Sequence, residues 1–379
     1  MHKTALPILF SFLLRVTLIR SDVVGNGFSP HKTALPMDGF WNHIMHPIPF
    51  QSLASGEEQD QTSESSPGAN IKSMGTDGYN SSSSGIATSG FDPFDESLSK
   101  IYRYRRQQSV NLGSWFVHEE WMTPSVFESA KDPKVSEIDI ALGDNARTFL
   151  ENYWSTFITQ ADFNYLASIG INTVRLPIGY WSLGPSFCSG TPFQSVASVY
   201  TKTLGHGIKR WDWSACGLAR SSRKSKRSDL QPHSGVSDGQ TGLFDNPDNI
   251  GKTLNVLIFL TQQLVNVTNV VGIQILNEPN NVQSLEDFYT KAIAAMRNTS
   301  AEARFLPLYV HNGFDLDRFT RYINSRTDFV VQDHHSYFVF TGPDSTEPAS
   351  QHTSDVHTII AAQLATSEPK DPFLTVDAI

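Results

Sequence analysis

Residues 272 to 281 read GIQILNEPNN, an alternating apolar run that closes on Asn277, Glu278 and Pro279. A carboxyl group at a strand end, beside an amide and before a turn-fixing proline, can hold a proton in partial burial and deliver it to a leaving oxygen. Asn277 could then hold a hydroxyl of the molecule under attack. The same triplet could instead cap the helix that follows, so its companions decide its meaning. Arg175, after INTV, could orient a carboxylate through its planar fork or bridge two strand ends. His335 and Tyr337, in QDHHSYF, could set an imidazole and a phenol beside a reacting ring or make ordinary packing contacts. Adjacent strand residues point to opposite faces, so His334 and His335 are not expected to share a zinc ion, and no cofactor is expected. Cleavage of a glycosidic bond would need a donor such as Glu278 and a second carboxylate across the bond, as nucleophile or as base for water.

These groups require a scaffold that brings several strand ends together. SVNLGSWFV reads as a first strand, NARTFLENYWSTFITQADFNYLASIG as a helical stretch with a glycine stop, and INTVRLPIGYW as a second strand. TLNVLIFLTQQLVN reads as a helix and VVGIQILNEP as a strand. SLEDFYTKAIAAMRNTS follows as a helix with Ser284 as its N-cap and Asp287 three residues on. LPLYVHNGF and DFVVQDHHSYF are further strands. Repeated β-then-α units of this size predict a parallel sheet with helices outside it, either doubly wound or closed as a (β/α)8 barrel. Arg175, the Asn277-Glu278 pair and the His335-Tyr337 pair all lie at C-terminal strand ends, which favours the barrel. No Gly-rich phosphate loop follows a strand, as a dinucleotide-binding sheet would require.

The chain has 379 residues, a net charge of -9 and 11% aromatic residues. That length can bury a large core, and the acidic balance argues against a nucleic-acid partner. Aromatic rings can stack on sugar faces as well as fill cores. Residues 1–98 are set apart. A basic start with an apolar stretch from Ala5 to Leu14 fits a short secretory leader better than a membrane span. HKTALP occurs at His2 to Pro7 and again at His31 to Pro36, which suggests a duplicated first exon. From Gln51 to Gly90 the chain is rich in Ser, Gly, Asp, Glu and Asn and reads as a linker or disordered arm. Asn80, Asn266 and Asn298 lie in glycosylation sequons, and Cys188 and Cys216 permit at most one disulfide. Residues 99–379 are expected to form the barrel.

The stretches NLGSWFVHEEWMTPSVF, FNYLASIGINTVRLPIGYW, VVGIQILNEP and VVQDHHSYFVF follow one another between about Tyr102 and about His352. In that order they resemble the motifs of the fungal exo-β-1,3-glucanases of glycoside hydrolase family 5. The resemblance implies a (β/α)8 barrel, a retaining double-displacement mechanism without a metal, and release of terminal β-1,3-linked glucose. It implies that Glu278 is the acid/base, that Asn277 holds the sugar 2-hydroxyl and that Arg175 braces the nucleophile. Glu119 would bind the terminal glucose, and His335 and Tyr337 would line the reacting subsite. Trp181 is either aromatic wall or core. The expected partner is a β-glucan, and the expected location is extracellular or the cell wall, with the cytoplasm as the alternative.

Two stretches depart from the family pattern. Between Lys209 and Asp229 apolar alternation is lost and the basic run RSSRKSKR appears, so no third strand is expected there; a localisation or polyanion-binding patch is the alternative reading. The chain closes on PFLTVDAI, where FLTVD looks like the start of the seventh strand and Ala378 stands where the nucleophilic glutamate belongs. If Ala378 holds the inward position, neighbouring Asp377 faces away from the sugar. A barrel lacking its closing strands is therefore expected, with no nucleophile found and activity in question. The alternatives are a non-catalytic glucan-binding protein, a non-functional truncated homologue, and a family 5 hydrolase of another linkage.

Overall fold

A computed structural model describes residues 91–196, 243–337 and 342–362, together with the backbone of two further strands at 214–220 and 374–378. The leader-like stretch, the HKTALP pair, the Ser/Gly-rich arm with Asn80, and residues 221–227 of the basic run lie outside the described residues. All described residues belong to one compact unit.

Seven strands form one sheet: β1 (Ser109–Asn111), β2 (Thr173–Gly179), β3 (Ser214–Arg220), β4 (Val270–Gln274), β5 (Leu308–His311), β6 (Val330–Ser336) and β7 (Leu374–Ala378). Their spatial order is their chain order, and every neighbouring pair is parallel. A doubly wound sheet reverses direction at a switch point, whereas this one advances strand by strand, as the wall of a (β/α)8 barrel does. The architecture is an incomplete (β/α)8 barrel, with seven strands among the described residues. The helices that connect or flank the strands are α1 (Glu96–Tyr104), α2 (Ala146–Thr156), α3 (Gln160–Ser168), α4 (Pro247–Leu264), α5 (Leu285–Arg297) and α6 (Leu316–Asn324).

Burial explains the composition of the strands. Every residue of β2, β4 and β5 is buried, because parallel strands are covered on both faces. Val174, Leu176, Ile178, Ile273 and Val310 join the main hydrophobic core with Leu257, Leu260, Ile293 and Phe319 from the helices. A smaller cluster of Val271, Tyr309 and Val331 packs with Tyr102 of α1. Arg103 of α1 donates from Nε to the Val270 carbonyl at 3.2 Å and from Nη2 to the Val265 carbonyl at 2.7 Å. These contacts hold α1 against the N-terminal ends of the strands, opposite the end that carries the polar groups.

The structure corrects four expectations. The interval from Lys209 to Asp229 contains β3, which pairs with β2 over its whole length and with β4. A strand flanked on both sides gains its ladder from the backbone and needs no polar alternation in its sequence to form it. The long helical stretch from Asn145 divides into α2 and α3, because Thr159 and Asp162 form a capping box that starts a new helix. Ser284 precedes α5 as expected, but its side chain makes no capping hydrogen bond. The strand in VVGIQILNEP stops at Gln274, so Asn277 and Glu278 sit in the loop beyond it.

Candidate active site

The polar groups meet around the loop beyond β4 and the end of β6; Arg175, expected at a strand end, instead lies inside β2, four residues before its last residue Gly179, and reaches that loop through its long side chain. Arg175 in β2 is buried, and its Nε donates to Gln274 Oε1 at 3.3 Å while Nη2 donates to Asn277 Oδ1. Gln274 is itself fixed by donating from Nε2 to the Leu276 carbonyl at 3.1 Å. An arginine fork thus locks the loop between β4 and Glu278. Glu278 has φ +44°, a left-handed conformation that a residue with a Cβ seldom adopts and that tends to persist where function requires it. Pro279 follows directly and confines the turn.

Glu278 is where the site converges. Its Oε1 lies 2.6 Å from His335 Nδ1 and also accepts the Tyr337 hydroxyl. On the far side of the imidazole, His335 Nε2 lies 3.2 Å from Asp333 Oδ2, and both of those side chains are fully buried. Residues two apart on a strand share a face, which is why Asp333 and His335 of β6 meet. Burial alone would lower the His335 pKa. The charge and hydrogen bond of Asp333, joined by those of Glu278, outweigh it and push the pKa up to about 9. His335 is therefore an imidazolium near neutral pH that donates from Nε2 to Asp333 and from Nδ1 to Oε1 of Glu278.

Two neighbouring histidines stay neutral. His311, at the end of β5, stands edge to face against His335 with ring centroids 4.4 Å apart. Burial, reinforced by the charge of His335, holds its pKa well below the ordinary value. His334 faces a different neighbour, with Nδ1 2.9 Å from Asn312 Nδ2, and burial with the charge of His335 lowers its pKa to about 4. The two adjacent histidines thus serve separate surroundings, as strand alternation predicts.

Glu278, His311 and His335 present potential ligand atoms within 4.8 Å of one another, a cluster that could hold a cation. Two protons oppose that use. His335 carries one on each nitrogen, and His311 Nδ1 accepts the Gly313 N–H at 3.0 Å, which leaves its proton on Nε2.

The other expected groups fall into place less tightly. Glu119 lies in the loop after β1, with its N–H donating to Ser114 Oγ at 3.1 Å and its Oε2 accepting the Trp121 indole at 3.0 Å. That loop is braced by a buried pair in which His118 Nδ1 meets Glu137 Oε1 at 2.9 Å. The bonds described for Glu119 are local ones, and Trp121 is more than half exposed beside it. Trp181 is buried, stacked on Phe193 at 4.8 Å, and belongs to the core rather than to an open aromatic wall. Cys188 is a free, buried thiol whose pKa burial pushes up to about 12, so the one possible disulfide is not formed.

β7 lies beside β6 with His335 opposite Asp377 and Ser336 opposite Ala378. Sequence reading passed over Gln274, Asp333 and His311. Asp333 could have been found from its two-residue spacing to His335, and His311 from its place at a strand end; Gln274 carried no such signal.

A parallel barrel wall with a carboxyl group, an imidazolium, a phenol and an arginine-braced amide gathered around the loop beyond β4 is an arrangement that glycoside hydrolysis can use. No protein-family model matches the chain. Glucan 1,3-beta-glucosidase 3 of Schizosaccharomyces pombe is 33% identical over 259 residues, which cover 64% of this chain and 54% of that protein. Glucan 1,3-beta-glucosidase of Blumeria graminis is 32% identical over 270 residues, 66% of this chain and 59% of that protein. Among solved structures, a rutinosidase from Aspergillus niger matches with a TM-score of 0.49 and 16% identity, covering 73% of this chain and 90% of that one. The chain is a homologue of the glucan 1,3-beta-glucosidases, which are glycoside hydrolases, and it spans between half and two thirds of the length of the relatives it matches. No helix among the described residues is long and apolar enough to cross a membrane.

Proposed function

We propose that this chain acts on β-1,3-linked glucan, releasing terminal glucose, with Glu278 as the proton donor. The observation that carries the reading is the convergence of His335 and Tyr337 on one oxygen of Glu278. An oxygen that accepts two donors does not also carry the proton, so the acid form of Glu278 has its proton on Oε2. As that proton passes to the leaving oxygen, negative charge grows on the carboxylate, and the two donors on Oε1 are already in place to stabilise it. In this reading Asn277, held by Arg175, takes a sugar hydroxyl, and Glu119 binds the terminal glucose.

A second reading, binding without cleavage, is favoured by one observation: Ala378 stands where the resemblance puts the nucleophile. Incubation with a linear β-1,3-gluco-oligosaccharide separates the two readings. Glucose release that falls by roughly 10²- to 10⁴-fold in Glu278→Gln supports hydrolysis. Calorimetric binding with no release, abolished in Asn277→Ala, supports the second reading. Neither release nor binding refutes both. If release is seen, Asp377→Asn asks whether the residue paired with His335 in the β6–β7 ladder supplies the second carboxylate. We place the protein outside the cell or in the wall, a reading supported by the leader-like start and by exposed sequon residues Asn266 and Asn298. A mobility shift on endoglycosidase treatment of secreted protein tests it.

A further inference from the structure

We propose that Asp333 is a positioning residue of this site: its buried carboxylate takes the Nε2–H of His335 and so fixes the ring with Nδ1–H aimed at Glu278. The inference rests on the reading of Glu278 as proton donor and deepens it. Asp333 is fully buried in β6, with His335 Nε2 3.2 Å from its Oδ2. A carboxylate so placed has a high cost unless a cation answers it, and His335 is the cation in contact. The pair is mutual, because a buried imidazole without an anion sheds its proton.

The consequence for Glu278 lies in the tautomer. A neutral His335 would carry one ring proton, and in one of its two tautomers a lone pair on Nδ1 would face the carboxylate 2.6 Å away. A doubly protonated ring has no such alternative and always donates. Among the described contacts Asp333 makes the larger contribution to this charge and Glu278 adds to it. His311 on β5 and His334 on the same strand are neutral, and the Tyr337 hydroxyl donates to Glu278. The remaining neighbour by register is Asp377 on β7, another acidic residue. Asp333 also stands opposite His311 in the β5–β6 ladder, and its carbonyl accepts the Asn312 N–H at 3.1 Å, so its backbone is held on the β5 side.

The test uses the full chain and does not depend on turnover. Imidazole ¹⁵N spectra are recorded against pH for the wild type, for Asp333→Asn, and for His335→Gln, which assigns the resonance. The expected wild-type result is a His335 ring with both nitrogens protonated at pH 8, losing a proton only near pH 9. In Asp333→Asn the midpoint falls by one to three pH units, roughly a 10- to 1000-fold loss of proton affinity. A neutral His335 at pH 8 in the wild type overturns the proposal even if the variant does not fold, and so does an unchanged midpoint in a folded variant. A midpoint lowered in Asp333→Asn, when the wild type releases no glucose, keeps Asp333 as the orienting group and removes the reading of Glu278. Glucose release that needs Glu278, with an unmoved midpoint, removes Asp333 alone.

Discussion

Raising the pH from 6.5 to 9.5 should destabilise this fold by an amount set chiefly by one imidazole. In the unfolded chain His335 takes its proton at the ordinary pKa of about 6.5. In the fold, despite burial, the charges and hydrogen bonds of Asp333 and Glu278 raise that value to about 9. Below pH 6.5 both states hold the proton and the full stabilisation is present. Between 6.5 and 9 only the folded state holds it, so stability drains away as the pH rises, and above 9 it is gone. A gap of between two and three pH units corresponds to about 3 kcal/mol. That is a large share of the ~5–15 kcal/mol that typically separates folded from unfolded domains. The neighbouring His334 works with the opposite sign. Burial and the charge of His335 lower its pKa to about 4, so it contributes a loss of up to about 3 kcal/mol as the pH falls from 6.5 toward 4. His311, also lowered by burial, adds to that acid-side loss. Urea unfolding followed by tryptophan fluorescence at pH 4.5, 6.5 and 9.5 should therefore give a maximum near 6.5. The His335→Gln variant should lose the alkaline slope and keep the acidic one. Equal alkaline slopes in both proteins would refute the assignment of the charge to His335.

Tyr337→Phe removes one of the two donors on Glu278 Oε1 and should lower kcat/KM on β-1,3-gluco-oligosaccharide by roughly 10- to 100-fold, checked by initial rates of glucose release. Gly272→Ala should cost about 1–3 kcal/mol in denaturant unfolding, because the added methyl would lie 2.5 Å from the Tyr309 ring and 2.7 Å from the Pro307 carbonyl. Arg297→Met should cost about 3 kcal/mol or more and lower Tm in calorimetry. Its guanidinium donates to the carbonyls of Ala303, Leu306 and Phe329, which would lose that donor.

Much of the fold was legible because its strands are short apolar runs punctuated by helical periodicity. The strand end at His335 could be read from where the apolar pattern stopped, whereas Arg175 falls inside β2, whose apolar run continues beyond it to Gly179. β3 was not legible in that way. SACGLAR shows no alternation, and only the ladders to β2 and β4 make it a strand. The break between α2 and α3 was hidden for a related reason: helical periodicity continues through it, and the capping box of Thr159 and Asp162 outweighs that continuity.

The sequence by itself determined which groups were available for chemistry. Glu278 beside an amide and a proline, a histidine and a tyrosine two apart, and an arginine within an apolar strand are matters of residue type and local spacing. Tertiary structure decided how those groups act on one another. Asp333, His335 and Glu278 form a line of contacts only because β6 packs where the loop after β4 returns, 57 residues away in the chain for His335 and Glu278. The charge on His335 arises there and nowhere earlier, since a proton affinity depends on burial and on neighbouring charges that distant segments supply. The pairing of position 377 with His335 is likewise a property of register, fixed when β7 adds to β6 and not by its own few residues.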